Sequence, residues 1–276
     1  MQDRKTRSDQ WNPEEKVVQE IIGKYEERKS ARQLGFEYGV ADVTITSLLE
    51  RRGVFVRNRS NARRTNQIKE DIFDVITEES AYWIGFLLAD GNVYHPKKRS
   101  KQLNLGLAAR DWEHLEKFKK FVGSNKKLYY NSNNNGVFIS IYSNRIVEKL
   151  EEYGIVLRKS KIAKVPELLK NNRHFWRGVV DGDGWVGISG NGYPFLGLCG
   201  TLDIVSGFMN FVGKTVSIRT KPGCSELKYG CTTAKIISDR LYGDCTLFLQ
   251  RKYDNYLHIQ NWITKCVQNR SLRCIR

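Results

Sequence analysis

Two short segments of this chain are built alike: Trp83-Ile84-Gly85-Phe86-Leu87-Leu88-Ala89-Asp90-Gly91 and Trp176-Arg177-Gly178-Val179-Val180-Asp181-Gly182-Asp183-Gly184. Each is a mostly apolar run with small residues four apart, ending on an aspartate followed by glycine. Gly85 and Ala89 share one helix face, as do Gly178 and Gly182. Two such helices can pack backbone to backbone, closer than leucines permit. Membrane helices use the same small-residue logic, but the polar flanks and short length exclude a membrane reading here. Asp90 and Asp183 would then lie side by side at two helix C-termini, with Gly91 and Gly184 letting the chain turn away.

Carboxylates at helix C-termini face an unfavourable dipole, and two together repel each other. A divalent cation offsets both penalties and takes hard oxygen ligands, which the carboxylates of Asp90 and Asp183 and nearby backbone carbonyls, those of Ala89 and Gly182, would supply. Mg²⁺ there would activate a water and stabilise charge on a scissile phosphate; Ca²⁺ or Mn²⁺ suits the same ligands. The alternative is that each Asp-Gly simply ends a helix. Repetition of the motif in a strongly basic chain favours the site.

From residue 82 onward the chain repeats itself. In the first copy the motif runs into strand-like stretches at Asn92 to Tyr94 and Leu103 to Ala108, a helix from Asp111 to Val122, further alternating runs at Lys127 to Tyr130 and Val137 to Tyr142, and a helix marked by Ile146, Leu150 and Tyr153. The second copy gives Trp185 to Ile188, Phe195 to Cys199, a helix Leu202 to Val212, strands Val216 to Ile218 and Leu227 to Thr232, and a helix Ala234 to Tyr242. Helical spacing places Trp112, Phe118, Phe211 and Trp262 in the core, and Trp83 and Trp176 pack against their sheets. The four histidines have no metal-ligand pattern, and surface residence is expected for His95 and His174.

Lys and Arg number 46 against 30 Asp and Glu, a formal charge of +16. Such an excess suggests a polyanionic partner. The N-terminus has no apolar core, so no signal peptide is expected. No stretch approaches about 18 apolar residues, so no membrane span is expected. The six cysteines lie in the last third without a CxxC pair. They read as free thiols in a reducing intracellular compartment, a bacterial or phage cytoplasm rather than an organelle.

Residues 1–57 read as an all-helical module. Pro13 can start a helix carrying Val17, Val18, Ile21 and Ile22; Ser30 can cap a second; Gly39 turns into a third from about Asp42 to Arg52. These are the makings of a helix-turn-helix. Thr44 and Thr46 on the third helix, and the basic run Arg51, Arg52, Arg57, Arg59, Arg63 and Arg64, are candidate nucleic-acid contacts. A basic linker (58–75), first repeat (76–157), basic connector (158–172), second repeat (173–254) and C-terminal helix with basic tail (255–276) complete the organisation.

The paired segments resemble the signature helices of the LAGLIDADG homing endonucleases in their single-chain form. Gly85 with Ala89-Asp90-Gly91, and Gly178 with Gly182-Asp183-Gly184, carry the likeness, and Arg158-Lys159-Ser160 and Arg251-Lys252-Tyr253 add to it. The resemblance implies an α+β fold: a duplicated αββαββα unit with pseudo-twofold symmetry and two curved antiparallel sheets forming a saddle over the DNA major groove. It implies a monomer that cuts both strands of a long duplex target, with Asp90 and Asp183 as metal-binding carboxylates. Leu88 departs from the acidic position kept as Asp181, which suggests unequal catalytic halves, and Arg177 replaces a small residue.

Sheet residues would read bases: Asn104, Ser140 and Tyr142 in the first copy, and Lys228, Tyr229 and Thr232 in the second. Lys228 would be either a catalytic cation near the scissile phosphate or a phosphate clamp. Lys97, Lys98, Arg99 and Lys101 in a strand-connecting loop, and Arg158, Lys159 and Lys161 in the connector, would grip backbone phosphates. The leading reading is a free-standing or intron-associated, site-specific DNA endonuclease. An RNA-splicing maturase acting on intron RNA and a non-catalytic transcription regulator stay open. Nothing in the residues suggests an intein.

Overall fold

The computed structural model describes residues 11–27, 29–56, 67–97 and 99–273, with side chains described through residue 262. Arg57, Arg59, Arg63, Arg64 and Lys98 lie outside the described residues. The chain divides into two compact units, Met1–Thr65 and Asn66–Arg276.

The first unit contains α1 (Glu15–Glu26), α2 (Ala31–Glu37) and α3 (Asp42–Arg51) around Val18, Ile21, Leu34, Ile45 and Leu49. Ser30 and Gln33 form a reciprocal capping box that starts α2. The turn into α3 is tight: a Cβ on Gly35 would stand 2.6 Å from Val40 O, and Gly39 takes φ +69°, a left-handed conformation that favours glycine.

In the second unit one element order occurs twice. The first copy runs α4 (Glu78–Asp90), β1 (Gly91–Tyr94), β2 (Gln102–Ala108), α5 (Trp112–Val122), β3 (Tyr129–Asn131), β4 (Gly136–Tyr142) and α6 (Asn144–Glu152). The second runs α7 (Arg173–Asp183), β5 (Gly184–Ile188), β6 (Pro194–Gly200), α8 (Leu202–Val212), β7 (Arg219–Lys221), β8 (Cys224–Gly230) and α9 (Cys231–Tyr242). A last helix, α10, spans Gln250–Arg273. The sheets are antiparallel with strand orders β1-β2-β4-β3 and β5-β6-β8-β7. This is a duplicated αββαββα fold preceded by a small helical module. No helix of the described residues is long and apolar enough to cross a membrane.

Each sheet buries one face. Val93, Leu103, Leu105, Ile139 and Ile141 point into the core of the first copy, and Val186, Leu196, Leu198, Leu227 and Tyr229 into that of the second. Trp83 and Trp176 are fully buried at matching positions of α4 and α7, each packed on the aromatic rings of its own copy's next helix, Phe118 and Phe208. Gly123 and Gly213 close α5 and α8 with φ +67° and +72°. Residues ahead of α4 also pack on the first copy: Lys69 N–H donates to Val122 O, and Tyr153 hydroxyl donates to Phe73 O.

Several expectations shift. β7 begins at Arg219 instead of Val216, and β8 ends at Gly230, so Thr232 lies on α9 and is no sheet residue. Tyr229 points inward and donates its hydroxyl to Lys214 O, which removes it from the outer face. Trp112, expected in the core, is half exposed at the start of α5. Gly91 and Gly184 turn the chain without a left-handed backbone. Their need for glycine is space: a Cβ would stand 2.6 Å from Leu87 O at Gly91, and 2.7 Å from Val180 O at Gly184.

Candidate active site

α4 and α7 meet without side chains between them. A Cβ added to Gly85 would stand 2.1 Å from Phe175 O, and one on Gly178 would stand 2.0 Å from Tyr82 O. One turn further along, a Cβ on Gly182 would come within 2.3 Å of Ala89 Cβ and 3.4 Å of Asp90 Oδ2. The small residues four apart therefore bring the backbones together, and Asp90 and Asp183 leave the paired helix ends at one place.

The electrostatics agree with that closeness. Burial pushes the Asp183 carboxyl up to about 6, with Asp90 adding to the rise and Lys159 and Lys252 opposing it. Asp90 is also raised by burial, against the pull of Lys252, Lys159 and Arg251. A half-buried carboxylate whose proton affinity a second carboxylate raises is an arrangement that a cation would relieve.

The cations at these helix ends are Lys159 and Lys252, equally far along the chain from Asp90 and Asp183. Lys252 Nζ donates to Val180 O and Asp181 O at 2.6 Å and to Gly184 O at 2.7 Å, with Gly182 O at 3.5 Å. Lys159 Nζ donates to Ala89 O at 2.9 Å. Each ammonium binds carbonyls at the C-terminal end of a helix and offsets the negative end of its dipole. Burial lowers both, Lys252 to about 8. Lys159, expected on phosphates, is thus buried and engaged within the protein. Its inward path follows Arg158, whose φ of 59° is left-handed. Arg158 and Lys161 stay exposed on either side.

Lys228, the expected catalytic cation, sits elsewhere. It is exposed on β8, with Nζ 4.7 Å from the Phe195 ring centroid. It is not among the charges that shift Asp90 or Asp183. The cations that act on both carboxylates are Lys159 and Lys252, and the sequence signal for them is the recurrence of Arg-Lys after each copy. Strand pairing sets Lys228 opposite Gly197, on the outward run of the sheet.

Asp181 has a structural task. It is fully buried and accepts from Tyr82 hydroxyl (2.7 Å), Tyr242 hydroxyl (2.7 Å) and Leu249 N–H (2.8 Å), tying α4, α7, α9 and the entry to α10 together. Arg177 beside it donates to Leu247 O and Leu241 O. The contrast between Leu88 and Asp181 is accordingly one of packing, and the unequal catalytic halves expected from it do not follow. His174 is likewise buried, against the expectation of a surface residue.

The remaining candidates divide by place. Asn104 and Ser140 are cross-strand partners on the outward face of the first sheet, joined by Ser140 Oγ–H donating to Asn104 Oδ1 at 2.7 Å. Tyr142 follows on the same face with Lys126 Nζ over its ring. Lys97 and Arg99 are exposed, while Lys101 Nζ is held by Glu151 and Glu148. On α3, Thr44 is half-buried, and Thr46 turns its hydroxyl back to Asp42 O and Val43 O. That return bond takes Thr46 away from an outside partner. Arg52 pairs with Glu15, and Arg51 is exposed.

The donor set fits a hard divalent cation. Among the described residues no three or more His, Cys, Asp or Glu side chains gather as a metal cage. Two carboxylates with adjacent carbonyl oxygens match Mg²⁺, which keeps waters and phosphate oxygens for its other positions.

No family model and no curated protein matches the chain by sequence. Among solved structures it is similar to the LAGLIDADG homing endonuclease I-LtrWI bound to target DNA, at 10% identity over 72% of this chain and 92% of that one, with a TM-score of 0.49. The LAGLIDADG meganuclease I-AabMI bound to uncleaved DNA gives 15% identity, 71% and 92% coverage and 0.49. I-SmaMI bound to cleaved DNA gives 12%, 71% and 91%, and 0.47. The element order, the sheet pairing used twice and the two aspartate-ended helices in backbone contact make the second unit the duplicated αββαββα architecture that the resemblance to the LAGLIDADG homing endonucleases implies.

Proposed function

We propose that the chain is a site-specific endonuclease that hydrolyses both strands of duplex DNA at a single divalent-metal centre formed by Asp90 and Asp183. The observation that carries this reading is the backbone-close packing of α4 and α7, which places two mutually destabilising carboxylates together in a protein of formal charge +16. Packing for stability alone would not juxtapose them.

The parts divide the work. Asp90 and Asp183, with the free lone pairs of Ala89 O and Gly182 O, would hold Mg²⁺, which supplies Lewis acidity at the scissile phosphate and an activated water. Lys159 and Lys252 hold the two helix ends in register and offset the carboxylate charge. Exposed Arg158, next to Lys159, and Arg251, which acts on Asp90 and pairs with Asp111 at 3.1 Å, would turn to phosphate oxygens. The outward sheet faces suit the major groove, and the N-terminal helical module lengthens the contacted site through linkage.

A cleavage selection tests this. A randomised duplex library is incubated with Mg²⁺ and either the intact chain or the Asp90→Asn/Asp183→Asn variant. Enrichment of a long cut site by the intact chain alone is expected. Identical, uncut libraries would overturn the nuclease reading, and RNA binding that survives both substitutions together with intron splicing would replace it with a maturase.

A further inference from the structure

The two sheets present their outward side chains in matching register, and the chemistry of the two faces differs. In the first sheet Asn92, Asn104 and Ser140 stand in one row across three strands. The corresponding row of the second sheet is Trp185, Gly197 and Lys228. One row further from the aspartates, Gln102 lies between Tyr94 and Tyr142, where the second sheet has Phe195 between Gly187 and Gly230.

The polar row is organised. Asn104 Oδ1 accepts from Ser140 hydroxyl and from the Gln102 side-chain amide, which fixes the direction of the Asn104 amide. In these two rows the second sheet lays rings on glycines; the first sheet does so only in the row nearest Asp90, where Phe138 covers Gly106. A Cβ on Gly197 would stand 2.2 Å from the Trp185 indole, and one on Gly187 would stand 3.1 Å from Phe195. Both rings are half-buried, and the exposed Lys228 places its Nζ 4.7 Å from the Phe195 ring centroid, a side chain that a thymine methyl would displace. The carboxylate of the row nearest Asp183, Glu226, is engaged by Lys221 at 3.0 Å and Arg219 at 3.6 Å.

In the major groove, amide side chains suit adenine through N6 and N7, whereas apolar surface suits the thymine C5 methyl. We propose that the two sheets read their halves of the target by different chemistry: the second through thymine methyl groups seated on Trp185 and Phe195, the first through adenine edges, with Gln102 Oε1 accepting from N6–H and Asn104 Nδ2 donating to N7, since Asn104 Oδ1 is already taken. This rests on the nuclease reading above and adds which bases each half selects and why.

The test uses the intact chain and its selected duplex. Deoxyuridine replaces thymidine through one half-site at a time, removing only the methyl group. 7-Deaza-adenine replaces adenine in the same way, removing only the N7 acceptor. Binding is read in Ca²⁺. Deoxyuridine is expected to weaken binding about fourfold per buried methyl in one half and to have little effect in the other. The 7-deaza substitution is expected to show the opposite polarity. Phe195→Ala should reduce the deoxyuridine effect, Trp185→Ala/Phe195→Ala should abolish it, and Asn104→Ala should leave it intact. Equal sensitivity of both halves to either probe, or a deoxyuridine penalty that survives the Trp185→Ala/Phe195→Ala variant, overturns the proposal while the nuclease reading stands. Failure of the intact chain to select or bind any duplex overturns both.

Discussion

Replacing Gly178 by alanine places a carbon 2.0 Å from Tyr82 O, 2.8 Å from Phe86 N and 3.0 Å from Tyr82 C. All three neighbours are backbone atoms of α4, so no side chain can rotate away. Relief requires the two helices to separate by more than an ångström along an interface that also holds Gly85 and Gly182. Overpacking of this kind costs about 3 kcal/mol, the upper end of the usual range, because nothing at the contact is flexible. For a unit of this size that corresponds to a fall in unfolding midpoint of about 6–12 °C. The assay is thermal unfolding followed by circular dichroism, with Mg²⁺-dependent cleavage of the selected duplex measured well below the midpoint. Cleavage should fall further than the folded fraction, since separation of α4 and α7 pulls Asp90 from Asp183. Gly190→Ala is the control: its added Cβ meets nothing within 4 Å. A Gly178→Ala chain that unfolds within about 2 °C of the parent and cuts at the parental rate would refute the close-packing argument.

Other outcomes follow from the same contacts. Asp181→Ala strips the acceptor from two buried hydroxyls and one backbone N–H, and should cost about 3–5 kcal/mol by denaturant titration; a loss within the range of a surface change would contradict the network. Lys252→Met should lose about 3 kcal/mol, whereas exposed Lys228→Met should stay within about 0.5 kcal/mol, and a reversed order would return the central cation to Lys228. Asp183, held near 6 against an ordinary 3.8, binds its proton more tightly folded than unfolded. Its penalty is therefore absent below about pH 4, grows as pH rises to 6 and is complete above, at about 3 kcal/mol. Without divalent cation, Asp183→Asn should raise the unfolding midpoint at pH 7.5 and far less at pH 4.5. Equal shifts at both pH values would count against the half-buried, charge-coupled carboxylate. Stabilisation by added Mg²⁺ should likewise grow up to about pH 6 and then level off.

How legible the fold was depended on where the chain has periodic, buried contacts. α4 and α7 announce themselves by motif, and α5 and α8 by apolar spacing closed with Val-Gly. Strand β7 does not: Arg219, Thr220 and Lys221 are all exposed at a sheet edge, so no alternation marks them, and the preceding Val216 and Ile218 drew the expectation too early. β8 was set too late for a related reason, since its hairpin turn rests on Gly223 at φ +86° and its last apolar partner is Tyr229. The two aspartates were readable from the repeat. Their lysines were obscured because the carbonyls they cap lie far back along the chain, and local charge made Lys159 look like a phosphate contact. Asp181 against Leu88 suggests unequal catalytic halves in the sequence, but its partners Tyr82, Tyr242 and Leu249 come from three distant stretches brought together only by folding. The chemistry of the outward rows became visible once the register was fixed, because a single-residue slip exchanges inward and outward faces.

The central claim is that Asp90 and Asp183 act as one centre. Cleavage of the selected duplex by the intact chain, Asp90→Asn, Asp183→Asn and the double variant, each with its binding constant measured in parallel, tests this most directly. One shared centre predicts unchanged binding and strongly non-additive losses, either single substitution abolishing double-strand cutting nearly as fully as both. Independent, additive losses, or double-strand cutting retained by the double variant, would contradict it.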